Sequence, residues 1–136
     1  MFKEIRKNFK EHKVKEEDII EAEKRMGIQI PAILKKFYLE VGYGFVTNEP
    51  GAINRLISPL GCADIRMRND FYEFDLDLEM YETSEKKELI FFEINEGVYA
   101  SIGLQDEKIY FASTKIAESM VEFLEKIVDP DYWVEM

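Results

Sequence analysis

Carboxylates are the most abundant reactive side chains of this chain, and they concentrate between residues 70 and 96. This segment holds ten acidic residues and two lysines, a net charge of −8, in a chain of 136 residues whose net charge is −10. If residues 73–79 form a strand, Asp75, Asp77 and Glu79 share one face about 7 Å apart, from roughly 3.3 Å per residue. Such a row could bind Ca²⁺ or Mg²⁺, act as general acid and base, or attract a cationic protein surface.

Nucleophilic catalysis needs an activated Ser, Cys or Thr beside a base, and the chain offers little of this kind. Its one cysteine, Cys62, and one histidine, His12, are far apart in sequence. We expect Cys62 to be a buried thiol and His12 to be a solvated side chain on an amino-terminal helix. Gly42-Tyr43-Gly44 lacks the later glycine and lysine of a phosphate-binding loop, and zinc-ligand spacing is absent. We therefore predict no catalytic residue, no metal and no cofactor.

The composition is typical of a folded domain with a sizeable core, because 46% of the residues are hydrophobic and 13% are aromatic. The excess of 28 acidic over 18 basic residues argues against direct binding of nucleic acid, which needs a basic face. No apolar run reaches the roughly 18 residues of a membrane span, and the start of the chain does not read as a signal peptide. We therefore expect a cytoplasmic protein that does not contact membranes.

Residues 1–41 are predicted to form helices, which would position the rest of the chain. Phe2, Ile5 and Phe9 recur at a helical spacing. A second helix should begin at the acidic run 16–18 and end at Gly27, since glycine readily adopts the left-handed conformation that stops a helix. A third should begin at Pro31 and stop at Gly42, and it should bury Leu34, Phe37, Tyr38 and Val41.

The middle of the chain is rich in Asn, Pro and Gly and is predicted to be mostly loop, with a short strand around residues 55–58. Residues 70–82 are ambiguous. The alternation of residues 73–79 favours a strand with an acidic face, whereas Phe71, Phe74, Leu78 and Tyr81 fit a helical spacing. Both alternatives remain open from the sequence.

The last third predicts an antiparallel meander followed by a helix. Strands are expected at residues 88–95, 98–104 and 108–112, with short turns between them, and a final helix at residues 114–128. The fold class is therefore α+β, one domain over residues 1–136 with helices packed on a mostly antiparallel sheet. Its exposed edge strands would permit a homodimer.

The amino-terminal third resembles the SUKH superfamily, which includes the Smi/Knr-type cell-wall regulators of fungi and many bacterial immunity proteins. The usual pattern is a helix with Ala-Glu that ends in Gly, then a Pro, an aromatic residue and a glycine-rich turn. The positions that match this pattern are Glu23, Gly27, Pro31, Phe37, Gly42 and Gly44. The resemblance implies the α+β fold and a non-enzymatic binding domain, and it assigns no catalytic residue.

Residues 70–85, which contain seven acidic side chains, are called the acidic segment. The resemblance and the acidic segment lead to the same first hypothesis, a cytoplasmic immunity protein that neutralises a cognate toxin. The toxin is expected to be a nuclease, whose basic substrate cleft an acidic face would occlude. The residues predicted to contact this partner are Tyr72, Glu73, Asp75, Asp77, Glu79 and Tyr81. A second hypothesis is a regulatory scaffold of the cell-wall-regulator type that binds a housekeeping protein. A third is a carboxylate-based hydrolase or metal-binding protein.

Overall fold

The computed structural model describes residues 9–46, 54–69, 72, 76–82, 84–94 and 98–127. Within these residues, seven strands form one antiparallel sheet in chain order. The strands are β1 (Phe9–His12), β2 (Tyr43–Val46), β3 (Asn54–Leu56), β4 (Glu88–Ile94), β5 (Val98–Gly103), β6 (Ile109–Phe111) and β7 (Thr114–Ala117). The helices are α1 (Glu16–Met26), α2 (Ala32–Glu40), α3 (Pro59–Arg66) and α4 (Met120–Ile127), with 3₁₀ helices at Leu76–Tyr81 and Ser84–Lys86. The predicted α+β class is confirmed.

Helix α1 follows its sequence signals closely. Its first turn is acidic, its last turn is basic, and Ile19, Ala22 and Met26 are buried. Gly27 ends the helix in the left-handed conformation, with φ of 70°, and its N–H donates to the carbonyl of Glu23. The predicted helix stop at Gly27 is therefore confirmed.

Glu23 connects α1 to α2 through the extended segment between them. Its carboxylate accepts a hydrogen bond of 2.7 Å from the N–H of Ile30 and forms an ion pair of 2.7 Å with Lys35. Pro31 lies immediately before α2, within one residue of the predicted position. Leu34, Phe37, Tyr38 and Val41 are buried as predicted, so the amino-terminal motif builds the core.

Three predicted elements differ in the structure. Residues 9–12 were expected in a helix but form β1, which pairs with β2 at the edge of the sheet; residues 1–8 lie outside the described residues. The Pro/Gly-rich middle contains α3, which the Ser58 side chain caps by accepting from the N–H of Gly61. Residues 114–117 are β7 and not the start of the last helix, which begins at Met120.

The β6–β7 hairpin explains why the last helix was predicted too long. Phe111 pairs with Thr114, which leaves Ala112 and Ser113 as a two-residue loop. Both have positive φ, 45° and 75°, as a type I′ hairpin turn requires. Asn-Gly is the usual sequence for such a turn, so the dipeptide Ala112-Ser113 does not predict one.

The core lies around β4, of which every residue is buried. A strand that is buried along its whole length is covered on both faces of its sheet. Phe123 of α4 packs against Phe91 and Phe92, with ring centroids 5.9 and 5.1 Å away. Leu78 and Tyr81 of the 3₁₀ helix Leu76–Tyr81 are also fully buried. The acidic segment is therefore anchored to the body of the protein by its apolar residues.

Candidate protein-binding surface

The structure distributes the six predicted contact residues over different environments. Glu79 is exposed, Tyr72 is half-buried and Tyr81 is fully buried. Asp77 belongs to the 3₁₀ helix Leu76–Tyr81, but its side chain is outside what the structure describes. Glu73 and Asp75 lie outside the described residues. Residues 76–81 are thus helical, which selects the helical alternative for this part of the acidic segment.

Tyr81 is a core residue, which corrects its predicted role as a partner contact. Its hydroxyl accepts a hydrogen bond of 2.9 Å from the N–H of Tyr99. Its ring makes edge-on contacts with Tyr99 and Phe111, at centroid distances of 5.7 and 6.4 Å. Such contacts add to the energy of burying an aromatic ring. Tyr81 therefore fastens the acidic segment to β5 and β6.

Arg68 holds the acidic segment against the end of α3. Its guanidinium forms two hydrogen bonds with the carboxylate of Glu85, of 2.5 and 3.1 Å. It also donates to the carbonyl oxygens of Ile65 and Leu78. Arg68 has φ of 54°, a left-handed conformation that is uncommon outside glycine. The sequence signal was only an arginine that precedes an acidic run, so its positioning role was not predicted.

Arg66 adds a second buried contact beside Arg68. Its guanidinium donates a hydrogen bond of 3.0 Å to the carbonyl oxygen of Glu88, where β4 begins. Burial lowers the pKa of Arg66, and the negative charge of Glu85 opposes this shift. The two arginines thus neutralise Glu85 and tie α3 to β4.

Glu79 and Glu82 are the exposed carboxylates of the segment that the structure describes with their side chains. Neither forms an ion pair or a side-chain hydrogen bond within the described part of the chain. Glu82 borders a surface depression of about 360 Å³, which Arg66, Arg68 and Glu85 also line. These two carboxylates are therefore available to a cationic partner, whereas Glu85 is not.

Tyr72 lies beside an ion pair on the sheet. Arg55 of β3 and Glu93 of β4 are register partners, and their side chains pair at 2.6 Å. Despite the opposing effect of burial, the hydrogen bond and charge of Glu93 raise the pKa of Arg55, and Tyr72 accepts a further hydrogen bond. Tyr72 also packs against the core. Part of this side chain is thus structural, and its exposed part belongs to the surface of the acidic segment.

Cys62 and His12 do not form a catalytic pair. Cys62 is fully buried on α3, where Tyr38 lies 3.3 Å from its sulfur. His12 is exposed on β1 and stacks against the ring of Tyr43 at 5.3 Å. The two residues differ in burial and have different contacts, which gives no support for a thiol–imidazole mechanism.

We expect the thiol of Cys62 to be inert in the folded protein. Burial raises its pKa to about 12, and the contact between the thiol and the Tyr38 hydroxyl only partly offsets this. Because the thiolate is the reactive species, iodoacetamide at pH 8 should leave the native protein unmodified. Mass spectrometry should detect full alkylation after unfolding in 8 M urea, because roughly several molar urea unfolds small domains. Rapid alkylation of the native protein would contradict the buried position.

Within the described residues, no group of three or more His, Cys, Asp or Glu side chains could hold a metal ion. No helix in the described ranges has the length and apolar character of a membrane span. The arrangement that remains is an anchored segment with accessible carboxylates beside half-buried aromatic surface.

Comparison with known proteins assigns the chain to a family. Residues 13–126 match the model of the SMI1 / KNR4 family (SUKH-1). The chain is also 39% identical over 127 residues to the curated "Immunity protein YxxD" of Bacillus subtilis (strain 168). This alignment covers 90% of the chain and 86% of the relative. No solved structure matches significantly. The resemblance read from the helix, proline and glycine-turn pattern is confirmed: the chain belongs to the SMI1 / KNR4 family (SUKH-1).

Proposed function

We propose that this protein is an immunity protein that binds a cognate toxin and blocks it without carrying out a reaction. The observation that carries the proposal is the extensive similarity to a relative that bears the name of an immunity protein. The proposed site of action is the cytoplasm. A binding role also agrees with the described residues, in which the cysteine and the histidine have separate, structural surroundings.

The proposed contact surface is the acidic segment, residues 70–85. The structure describes the side chains of Glu79 and Glu82, and Glu73, Asp75 and Asp77 are further predicted members. Like charges along one segment repel each other until a cationic partner or salt relieves them. A toxic nuclease must carry a basic cleft for its own substrate. Carboxylates that occupy this cleft would exclude nucleic acid, and their field would accelerate association.

Charge reversal tests the proposed surface. The double variant Glu79→Lys/Glu82→Lys should weaken toxin binding at least about tenfold, or ~1.4 kcal/mol, because both carboxylates are exposed and unpaired in the described structure. The variant Asp75→Lys/Asp77→Lys extends the test to two more of the predicted contacts. Binding is measured by surface plasmon resonance at two salt concentrations, and protection by co-expression with the toxin. The toxin to use is the secreted protein encoded by the neighbouring gene, where the neighbouring gene encodes such a protein.

The matched control is Glu17→Lys/Glu21→Lys on α1, where both residues are also exposed. It changes the net charge of the protein by the same amount at another place, so it should preserve binding and protection. Equal losses in both variants would mean that overall charge and not the acidic segment drives association. Full protection by the segment variants would show that the proposed surface is wrong, and binding to a housekeeping protein only would favour the scaffold hypothesis.

A further inference from the structure

A cavity of about 440 Å³ lies beside the acidic segment, where β4 begins and β5 ends. Its charged and aromatic lining comes from Lys86, Lys87, Glu88, Asp106 and Tyr110. The volume falls within the roughly 300–1,000 Å³ typical of pockets that bind small ligands. None of the predicted contact residues lines it, so it is a separate site on the protein.

Glu88 is the unusual residue of this cavity. It is the first residue of β4, pairs with Gly103, and is only 7% exposed. Its carboxylate oxygen Oε1 is buried without a hydrogen-bond partner among the described residues. Burial raises the pKa of Glu88, and the negative charge of Asp106 raises it further. Buried polar groups nearly always have a partner, so an unsatisfied carboxylate at a cavity wall indicates a missing donor.

Asp106 is the second carboxylate that lines the cavity. Its two oxygens accept hydrogen bonds from the Lys108 N–H at 3.0 Å and from the Tyr110 hydroxyl at 2.5 Å. The hydrogen bond from Tyr110 lowers the pKa of Asp106, which keeps its carboxylate charged. Gly103 allows this close approach, because a Cβ there would lie 2.0 Å from Oδ1 of Asp106. The second negative charge of the cavity is thus fixed by the fold.

The two lysines do not supply the missing donor. Lys86 and Lys87 are exposed at the rim. Within the described structure, neither forms an ion pair with Glu88 or Asp106. Exposed lysine ammonium groups remain solvated in water. The carboxylate of Glu88 therefore forms no ion pair within the described residues, and the nearby guanidinium of Arg66 is directed to the backbone carbonyl of Glu88.

A metal ion does not fit this arrangement well. Ca²⁺ takes six to eight oxygen ligands and Mg²⁺ demands near-ideal octahedral geometry. Both oxygens of Asp106 already accept hydrogen bonds, and no cluster of three candidate ligands occurs in the described ranges. An organic cation that donates several hydrogen bonds suits one free carboxylate better.

We propose that this cavity receives an arginine side chain of a protein partner, with Glu88 as the acceptor of its guanidinium. Rotation of the Glu88 carboxylate about its last torsion, which is broad, presents either oxygen to the cavity. The planar guanidinium matches a carboxylate with two parallel hydrogen bonds and stacks on aromatic faces such as Tyr110. Leu104 offers apolar surface for the methylene groups. The identity of the partner as a toxin rests on the proposed function, whereas the pocket chemistry does not.

The first experiment uses a small probe and needs no toxin. N-acetyl-L-argininamide is titrated into the ¹⁵N-labelled protein, and the neutral isostere N-acetyl-L-citrullinamide serves as the control ligand. We expect saturable shifts at the amides of Gly103, Leu104 and Gln105 with the arginine compound and at least tenfold weaker binding of the citrulline compound. Equal shifts with both compounds, or none at these amides, would overturn the inference and leave the proposed function intact.

The second experiment uses variants. Glu88→Gln removes the charge at nearly constant volume and should weaken binding of the arginine compound at least tenfold. Glu21→Gln on α1, which is exposed and distant in sequence from the cavity, should not change it. Thermal unfolding of each variant verifies folding. Unchanged affinity in Glu88→Gln would overturn the inference.

The partner itself is tested last. A toxin complex formed with Glu88→Gln should dissociate at least tenfold faster than the parent complex. If the dissociation rate is unchanged in Glu88→Gln while binding of the arginine compound still depends on Glu88, the toxin does not donate the arginine. Failure of the parent protein to bind any toxin would contradict the proposed function, while the probe experiments would still decide the chemistry of the pocket.

Discussion

Replacing Arg68 by methionine should lower the free energy of unfolding by about 3 kcal/mol, the lower end of the range for removing one partner of a buried ion pair, because the Arg68 side chain is 25% exposed. Glu85 is only 8% exposed, and Arg68 provides two hydrogen bonds to its carboxylate. The variant leaves a buried charge without its main partner. Two backbone carbonyls, of Ile65 and Leu78, lose a donor as well. Urea denaturation followed by circular dichroism measures this loss.

Two further variants separate the ion pair from other effects. Arg68→Met/Glu85→Leu removes both charges and should recover most of the lost stability, because apolar replacement of a buried pair is often neutral. Lys126→Met removes the exposed partner of Glu122, which lies 2.7 Å away, and should leave the free energy of unfolding nearly unchanged because solvent screens an exposed pair. A loss below 1 kcal/mol in Arg68→Met would mean that Glu85 is solvated and that Arg68 does not hold the segment.

The same variant connects stability with binding. Arg68 donates hydrogen bonds to the Leu78 carbonyl and to the Glu85 carboxylate. It therefore restrains both ends of the stretch that contains Glu79 and Glu82. Amide hydrogen exchange in residues 78–86 should therefore become faster in Arg68→Met than in the parent protein. If the acidic segment binds the toxin, association should also weaken, although Arg68 need not touch the partner.

The second large effect is expected for Gly42→Ala, which should destabilise the protein by about 3 kcal/mol or more from backbone strain and overpacking together. Gly42 has φ of 122°, outside the range that residues with a side chain normally adopt. A Cβ at this position would lie 2.1 Å from the carbonyl oxygen of His12. Since this atom belongs to the backbone of β1, relief requires displacement of the edge strand.

Gly27→Ala provides the matched control. Gly27 also has a positive φ, 70°, but no atom lies within 4 Å of the position of an added Cβ. This variant should lose only the ~1–2 kcal/mol of a left-handed alanine. The difference between the two variants measures the steric part of the Gly42 effect. Equal losses would show that β1 moves freely and that its pairing with β2 contributes little.

The family motif is explained by packing and chain geometry. Glu23 satisfies the N–H of Ile30 and pairs with Lys35, Phe37 is fully buried, and Gly42 allows the approach of β1. These roles concern the fold and not a partner. The motif therefore identifies the family without locating the binding surface, which has to be argued from exposed charge.

The sequence by itself determined the elements whose signals are local. The acidic start of α1, its stop at Gly27 and the apolar run of β4 specify their own conformation through helix dipole, backbone freedom and burial. The predicted α+β class followed from these signals, whereas the family was indicated by the resemblance of the motif from Glu23 to Gly44. The concentration of acidic residues was also visible without coordinates, because charge counts do not depend on folding.

Tertiary structure decided what depends on contacts between distant residues. Residues 9–12 become a strand because β2 offers a pairing partner, and Ala112-Ser113 form a turn because two strands meet there. Tyr81 was predicted at the surface, yet Tyr99 and Phe111 bury it. Arg68 neutralises Glu85 seventeen positions away, whereas the side-chain oxygen Oε1 of Glu88 has no hydrogen-bond partner among the described residues. The physical reason is that solvation and pairing of a side chain depend on its neighbours in space, which no local pattern encodes.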